Sequence, residues 1–558
     1  MNATILWAPM TPLLIVLGAA VLSTLVEAFW PREYRRPVQL TIAILAIAGG
    51  LLASAWRWTE FIAGGRKISP YSVLTPGNGT PTLSEQATQI PSTGIGLVED
   101  GISIISFVVL LVVALIAFLV IADRTHVGDG SFVASAATRP GSAEERESTS
   151  AGRMQTEIFP LALFAMGGMM AFTAAFDLLT LFIALELLSL PLYVLSASAR
   201  RRRLLSQEAA MKYFLLGAFS SAVFLMGAAF IYGGTGRVSF FEVASVAGGG
   251  PNPALLGSTS FTVIGVVMVI LGLLFKVGAA PFHQWVPDVY QGAPTPITAF
   301  MAAGTKAAAF AALIRVMMFI SAPAQKALTP FLWIVIIATI LVGTVMGLVQ
   351  KDIKRLLAYS SIAHAGFILI AVLGIAALPT VAADLSNFRP TATAVAAIFY
   401  YLLTYGFATI GAFGVITLVR GKDSAGNIVG EATDLDSWRG LGKRSPFLAA
   451  SMLVFLLSFA GIPFTGGFIG KFEAFRAGIN AGGTVLVVIA VLASAATAFF
   501  YFRLVALMFF EESESDSTVV VKSEGMSMVA IVVALVATIA LGILPAPFLD
   551  FMQGSFIL

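Results

Sequence analysis

Lys276 stands in LGLLFKVGAAPFHQWVPDVYQGAPTPI, residues 271–297, an otherwise apolar stretch, five positions before the helix-breaking Pro281. An ammonium at bilayer depth costs roughly 2.5–3.5 kcal/mol on insertion scales, so a lysine in that setting is there for a reason. Two more follow in apolar surroundings, Lys306 in TAFMAAGTKAAAFAALIRV and Lys471 in SFAGIPFTGGFIGKFEAF. A carboxylate, Glu186, lies in LLTLFIALELLSLPLYVL. Low dielectric disfavours the charged form of a buried amine and a nearby carboxylate restores it, so the two types together make a switchable proton site. Moving one charge across 100 mV requires about 2.3 kcal/mol, which changing the surroundings of one such lysine can supply. Buried groups of both signs, threaded through apolar helices beside Pro and Gly breaks, are the materials of a proton or ion path.

Lys276 is the foremost candidate, because a broken helix beside it frees backbone carbonyls and lets water enter. The alternative, a structural lysine snorkelling to an interface, has to contend with a charge well inside its span. Glu186, near the middle of its span and followed by Pro191, is the natural counter-charge or else a carboxylate bound to backbone. Lys306 sits too deep in its helix for easy snorkelling, whereas Lys471 follows the second break, eight residues after Pro463. The two lysines are thus placed asymmetrically about their breaks, which would suit one facing each half-channel. Lys212 opens its span just after Glu208 and is either part of the path or a surface pair. His364 and His283 each read as a relay group, histidine titrating near neutrality, or as a satisfied helix histidine. Asp288, in VPDVYQG, reads as a helix cap or loop partner rather than a proton carrier. Tyr, Ser and Thr in these spans could hold waters, and the sequence does not rank them.

The elements that must position these groups are membrane helices. Of 558 residues 58% are hydrophobic and only 11% charged, against about 25% charged in soluble domains. Spans of about 20 apolar residues fall near 4–29, 38–58, 101–122, 158–176, 178–199, 211–233, 260–287, 296–319, 330–350, 356–376, 392–419, 447–477, 483–510 and 526–547. The chain therefore reads as an all-α polytopic membrane protein with about 14 transmembrane helices. No charged region precedes the first apolar run, which reads as a retained membrane helix rather than a cleaved signal. With alternate connections on one side, the Lys and Arg fall mostly with Arg32, Arg200, Lys351, Arg439 and Lys522, and the positive-inside rule then places both termini outside.

Connections 61–100 and 123–157 are long and polar and read as mobile loops without chemistry, as does the acidic EESESDS at 511–517. Arg200, Arg201, Arg202 and Arg203 read as a topology anchor, with anionic lipid binding as the alternative. The net charge of +3 comes from basic residues dispersed in short loops, a topology signal and not a nucleic-acid surface. With no cysteine and three histidines (His126, His283, His364) the chain lacks thiolates for an iron–sulfur cluster or a Cys-rich zinc site. If it belongs to a redox enzyme, the electrons travel in another chain. There is a hint of duplication: LLTLFIALE (178–186) and LLAYSSIAH (356–364) align Glu186 with His364, and KYFLLGAFSSAVFLMG (212–227) shares spacing with YYLLTYGFATIGAFGV (400–415). The breaks at 278–281 and 461–467 then fall in equivalent spans, a pointer to a transporter-like site near the midplane.

FKVGAAPFHQWVPDVYQGAPTPITAFMAAGTKAA, KDIKRLLAYSSIAHAGF, LFIALELLSLPLY and GIPFTGGFIGKFEAF together resemble the antiporter-like subunits of respiratory complex I, over residues 158–510. PFHQWVPDVYQGAPTP and the lysine of GFIGKF are most similar to the N-type branch. The resemblance implies two inverted five-helix repeats, each with a broken helix, at 158–319 and 330–510; the chain departs from the family in its three amino-terminal helices with two long polar loops (1–157), and a terminal helix (511–558) follows the repeats. It implies that Glu186 and Lys276 form a coupling pair, with Lys306 a central relay and Lys471 the terminal proton carrier. Lys212 matches the lysine that opens the family's sixth helix. The expected function is proton translocation in NADH:quinone oxidoreductase, in a bacterial inner membrane. No cofactor is expected in this chain; FMN, iron–sulfur clusters and quinone belong to partner subunits. The implied neighbours are an M-type subunit, K-, J-, A- and H-type subunits and lipid, with the peripheral redox arm indirect and no nucleic acid. The alternatives are a subunit of a multisubunit Na+/H+ antiporter and, third, a membrane scaffold, which has no need of four buried ionisable groups.

Overall fold

A computed structural model describes residues 4–64, 69–70, 72–73, 96–124, 131–133, 138, 142–151, 156–247, 259–375, 388–422, 426, 428–512 and 518–556. Twelve of the described helices are long and apolar enough to cross a membrane, and two shorter apolar ones, Ile158–Ala174 and Pro446–Ala460, join them. Each of the fourteen expected spans thus has a helical counterpart. In chain order the helices are α1 (Trp7–Phe29), α2 (Arg32–Ala63), α3 (Gly101–Ala122), α4 (Ile158–Ala174), α5 (Leu178–Ser196), α6 (Arg203–Thr235), α7 (Thr259–Val277), α8 (Trp285–Gly292), α9 (Thr295–Phe319) and α10 (Gln325–Leu348). Then come α11 (Ile353–Val372), α12 (Phe388–Leu418), α13 (Pro446–Ala460), α14 (Gly466–Asn480), α15 (Thr484–Phe510), α16 (Met526–Ile543) and α17 (Ala546–Phe556).

Two expected spans are each divided, 260–287 into α7 and α8 and 447–477 into α13 and α14. The cause is the same at both. Gly278 and Gly461 take φ of +81° and +80°, a left-handed conformation that costs glycine little. The helix then ends in a Schellman turn, with the Ala279 and Ile462 amides reaching back to the Leu274 and Leu457 carbonyls. Pro281 and Pro463, which lack an amide hydrogen, prevent the turn from resuming as helix.

The centre of the bundle is α9, all 25 residues of which are buried, packed chiefly against α12 and α3. Outer helices present Leu179, Ile183, Phe219, Leu492 and Phe499 outward, an apolar surface for lipid or other membrane subunits. Where lipid removes the hydrophobic drive between helices, small residues permit close crossings. A Cβ on Gly227 of α6 would lie 2.7 Å from the Gly265 carbonyl oxygen of α7, and the reciprocal distance is 2.6 Å. Asp100, Asp177 and Asp352 begin α3, α5 and α11 by accepting from amides of the first turn. At one end a three-stranded antiparallel sheet, β1 (Val419–Lys422) between β2 (Ile428–Glu431) and β3 (Thr518–Val520), covers the helix ends.

The expectation of loops without chemistry does not describe the end of 61–100, although residues 65–68, 71 and 74–95 lie outside the described set. Glu99 takes a bidentate ion pair from Arg57 at 2.7 and 2.8 Å; burial raises its carboxyl above the usual range and Arg57 pulls it back. Asp100 takes both terminal nitrogens of fully buried Arg315, at 2.8 and 2.9 Å, while Arg315 Nε donates to the Thr173 carbonyl. This buried pair joins α3, α4 and α9. In the second loop Thr156 donates to Glu27 at 2.6 Å; His126 lies outside the described residues. Arg201 and Arg202 bond to Ile428 and Thr433 of the sheet region, and Arg203 to Thr138, so the arginine run fastens loops on its own face. Glu511 and Glu512 pair with Arg439 and Lys443, and residues 513–517 are outside the described set.

Removing one member of the Asp100–Arg315 pair leaves the other buried and uncompensated. Asp100→Ala should destabilise the chain by about 3–5 kcal/mol, and Asp100→Ala with Arg315→Met should recover most of it. Thermal unfolding in detergent, followed by size-exclusion profile, measures both; equal loss in the single and double variants would show that the pair does not carry the packing.

Candidate functional site

The three lysines are buried, and their surroundings differ in kind. Lys471, one turn into α14, donates to the Phe459 and Ala460 carbonyls at 2.8 and 2.9 Å and to Ser494 Oγ of α15 at 2.7 Å. Three acceptors meet the three hydrogens of an ammonium. Two of them are carbonyls at the end of α13, which lose their helical partners at the break and carry the negative end of the helix dipole. Lys471 reaches them because its stem passes Gly461, where an added Cβ would lie 2.9 Å from Lys471 Cδ.

Lys306, midway along α9, donates to the Ser361 carbonyl and hydroxyl oxygens of α11 at 2.5 and 2.6 Å and lies 4.9 Å from the Tyr405 ring centroid. Tyr290 of α8 is 3.3 Å from the same Ser361 hydroxyl. His364, one turn beyond Ser361, stands between this lysine and the next. Its Nδ1 is 2.9 Å from Tyr401 OH and its Nε2 3.4 Å from Tyr501 OH, which in turn bonds Ser360. The His364 ring lies 5.1 Å from that of Tyr405 and 5.6 Å from that of Phe459, and both Lys306 and Lys471 are within electrostatic reach. Tyr405 therefore touches Lys306 and His364, and Phe459 touches His364 while its carbonyl holds Lys471.

Lys276, at the end of α7, is 3% exposed and its Nζ has no hydrogen-bonding partner among the described residues. It faces the rings of Tyr213, Tyr193 and Phe275 at 5.2, 5.4 and 5.9 Å. The hydroxyls of Tyr193 and Tyr213 are likewise buried and without partners. The ammonium is thus met by ring faces rather than by oxygen acceptors. Trp285 Nε1 donates to Phe275 O at 2.9 Å, a carbonyl that also meets the Gly278 amide in the turn.

Glu186 of α5 accepts from Ser221 Oγ at 2.5 Å and acts on Lys276 through space, not as a contact ion pair. Lys212 is half-exposed and apart from the three lysines, bonded to Glu208 at 2.7 Å and Asp288 at 2.9 Å. His283 lies in the first break with Nδ1 unpaired. Asp288 does not act as a helix cap; it is an ion-pair hub, joined also by Arg355 at 2.8 Å. Sequence reasoning passed over Ser361, Ser494, Arg355 and the four tyrosines around His364 and Lys306. The one available signal was spacing, since Ser361 precedes His364 by one helical turn.

A model of the family described as NADH:quinone oxidoreductase/Mrp antiporter, TM, matches residues 175–497, which contain all of these lysines, Glu186 and His364. NADH-quinone oxidoreductase subunit N of Beutenbergia cavernae is 50% identical over 559 residues, covering 98% of this chain and 97% of that protein. A chain in the structure of respiratory complex I from Thermus thermophilus with bound aureothin matches with a TM-score of 0.69 at 31% identity, over 97% of this chain and 98% of that one. A chain of the Mrp complex from Dietzia sp. DQ12-45-1b matches with a TM-score of 0.72, over 98% and 97%, but at 18% identity, and so shares the fold alone. This chain, a multi-span membrane protein, belongs to the NADH:quinone oxidoreductase/Mrp antiporter family and, within it, to the subunit N proteins of NADH-quinone oxidoreductase.

Proposed function

We propose that this chain translocates protons in the membrane arm of NADH:quinone oxidoreductase and carries out no electron transfer itself. The observation that carries the reading is the succession of buried lysines, Lys276, Lys306 and Lys471, with His364 between the last two and a helix break at each end. A chain without cysteine has no thiolates for iron–sulfur clusters, so FMN, clusters and quinone are assigned to partner subunits. M-type and K-, J-, A- and H-type subunits are the proposed neighbours, and the bacterial inner membrane the location, with both termini outside.

In this reading a disturbance from a neighbour reaches Glu186, which is half-buried on a face where Leu179, Ile183 and Leu190 point outward. A change in the Glu186 field alters how well Lys276 holds its proton. Transfer then proceeds through water to Lys306 and, past Ser361 and His364, to Lys471, where three acceptors receive an ammonium. Residues 158–319 and 330–510 are proposed as inverted repeats: in both, the fourth element is the broken one, and alternate crossing makes the two broken helices run in opposite directions.

Lys276→Ala should abolish redox-linked pumping in inverted vesicles, read as quenching of a pH-sensitive dye on NADH addition; full pumping by a correctly assembled variant would overturn the reading. Lys471→Arg keeps the positive charge in a group that does not release its proton. It should lose pumping as Lys471→Ala does, and pumping at the wild-type rate would remove Lys471 from the path.

The second reading, a cation/proton antiporter subunit, is favoured by the shared fold with the Mrp complex chain. Replacing Na+ by K+ throughout should leave NADH-driven acidification unchanged; a requirement for Na+ would move the assignment to the antiporter.

A further inference from the structure

We propose that Asp288 is a positioning carboxylate that holds α8 as a strut between the Lys276 and Lys306 sites. The inference rests on the proton-path reading and adds the element that couples its first two stations. At eight residues, α8 is too short to be stable by itself, so its place depends on what fastens it. Each of its polar or aromatic side chains, Trp285, Asp288, Tyr290 and Gln291, is committed to a neighbouring element.

At its start Trp285 donates to the Phe275 carbonyl, one residue before Lys276, and stacks at 4.6 Å on Tyr213, whose ring faces the Lys276 ammonium. Further along, Tyr290 reaches Ser361, the residue whose two oxygens hold Lys306. A shift of α8 therefore moves a wall of one lysine site and a partner of the other together. Between these two contacts, Asp288 Oδ2 accepts from Lys212 of α6 at 2.9 Å and Oδ1 from Arg355 of α11 at 2.8 Å. One carboxylate thus draws cations from helices on opposite sides of α8. Arg355 also donates to Gln291 Oε1, and Gln291 Nε2 donates to Asp352, which begins α11. Lys212 is shared with Glu208 at 2.7 Å, so this arm of the fastening has a built-in competitor.

The test uses the intact assembly with Asp288→Asn, Asp288→Glu and, as a one-arm variant, Arg355→Gln. Amide hydrogen exchange over residues 285–292 reads the strut without reference to activity, and protons pumped per NADH oxidised reads the coupling. Asp288→Asn should exchange roughly three- to tenfold faster in this segment, the range expected for losing partly exposed ion pairs. It should lower the proton ratio, and Asp288→Glu should restore both readouts towards wild type. Unchanged exchange in Asp288→Asn overturns the strut; faster exchange with an undiminished proton ratio overturns the coupling. If Asp288→Asn does not assemble, Arg355→Gln is read by the same two criteria. An assembly without NADH oxidation in the wild type would count against the proposed function, and the exchange result would still decide the strut.

Discussion

An ammonium inside a bilayer has to find acceptors, and the acceptors a membrane helix can offer without burying another charge are its own carbonyls. An unbroken helix offers only the second lone pair of a carbonyl already bonded four residues on, as Ser361 does to Lys306 beside its hydroxyl. Breaking the helix releases its carbonyls. The two breaks, made by glycines in the left-handed region and prolines just beyond, are therefore not defects in otherwise regular spans. At the second break the released carbonyls are what holds Lys471 at the depth of a crossing.

The breaks are alike in backbone and different in use. At the second, Lys471 comes from the far side of the break and takes the carbonyls of Phe459 and Ala460. At the first, Lys276 belongs to the helix that ends, so its side chain is directed back along that helix and away from the carbonyls at its end, while the Trp285 indole bonds the carbonyl of Phe275, the residue before it. The same turn thus produces one lysine with a full set of acceptors and one surrounded by ring faces and unpaired tyrosine hydroxyls. The inequality follows from which side of a glycine the lysine is on, and it is what the proposed proton path would use to tell its stations apart.

Much of this was legible in the sequence because it is local. The fourteen apolar spans, the glycine–proline breaks and the lysines within them are all patterns of fewer than about 30 residues, the scale on which composition and periodicity speak. What was not legible depends on distant pairing. Asp100 reads as the last residue of a polar loop, and only the approach of Arg315, 215 positions later, makes it a buried anchor. Asp288 reads as a cap because it lies near the start of a helix, yet its partners come from α6 and α11. Ser361 and Ser494 carry no signal by type, since small hydroxyls in apolar helices more often bond their own backbone. The Glu186–Lys276 pairing was inferred from charge, and the fold keeps the two coupled at a distance with Ser221 on the carboxylate.

The likeness to the Mrp complex chain and to the Thermus thermophilus complex I chain, with TM-scores of 0.72 and 0.69, shows that backbone shape does not separate the two kinds of assembly. Broken helices are compatible with a lysine path driven by redox chemistry elsewhere or with one exchanging cations across the membrane. The distinction must lie in side chains. The interior described here is furnished with ammonium groups, hydroxyls and aromatic rings, and among the described residues no three or more His, Cys, Asp or Glu side chains gather to form a cation cage. Lys276 among ring faces, Lys306 on two oxygens of one serine and Lys471 on two carbonyls and a serine are differences of that kind, which a comparison of backbones does not register.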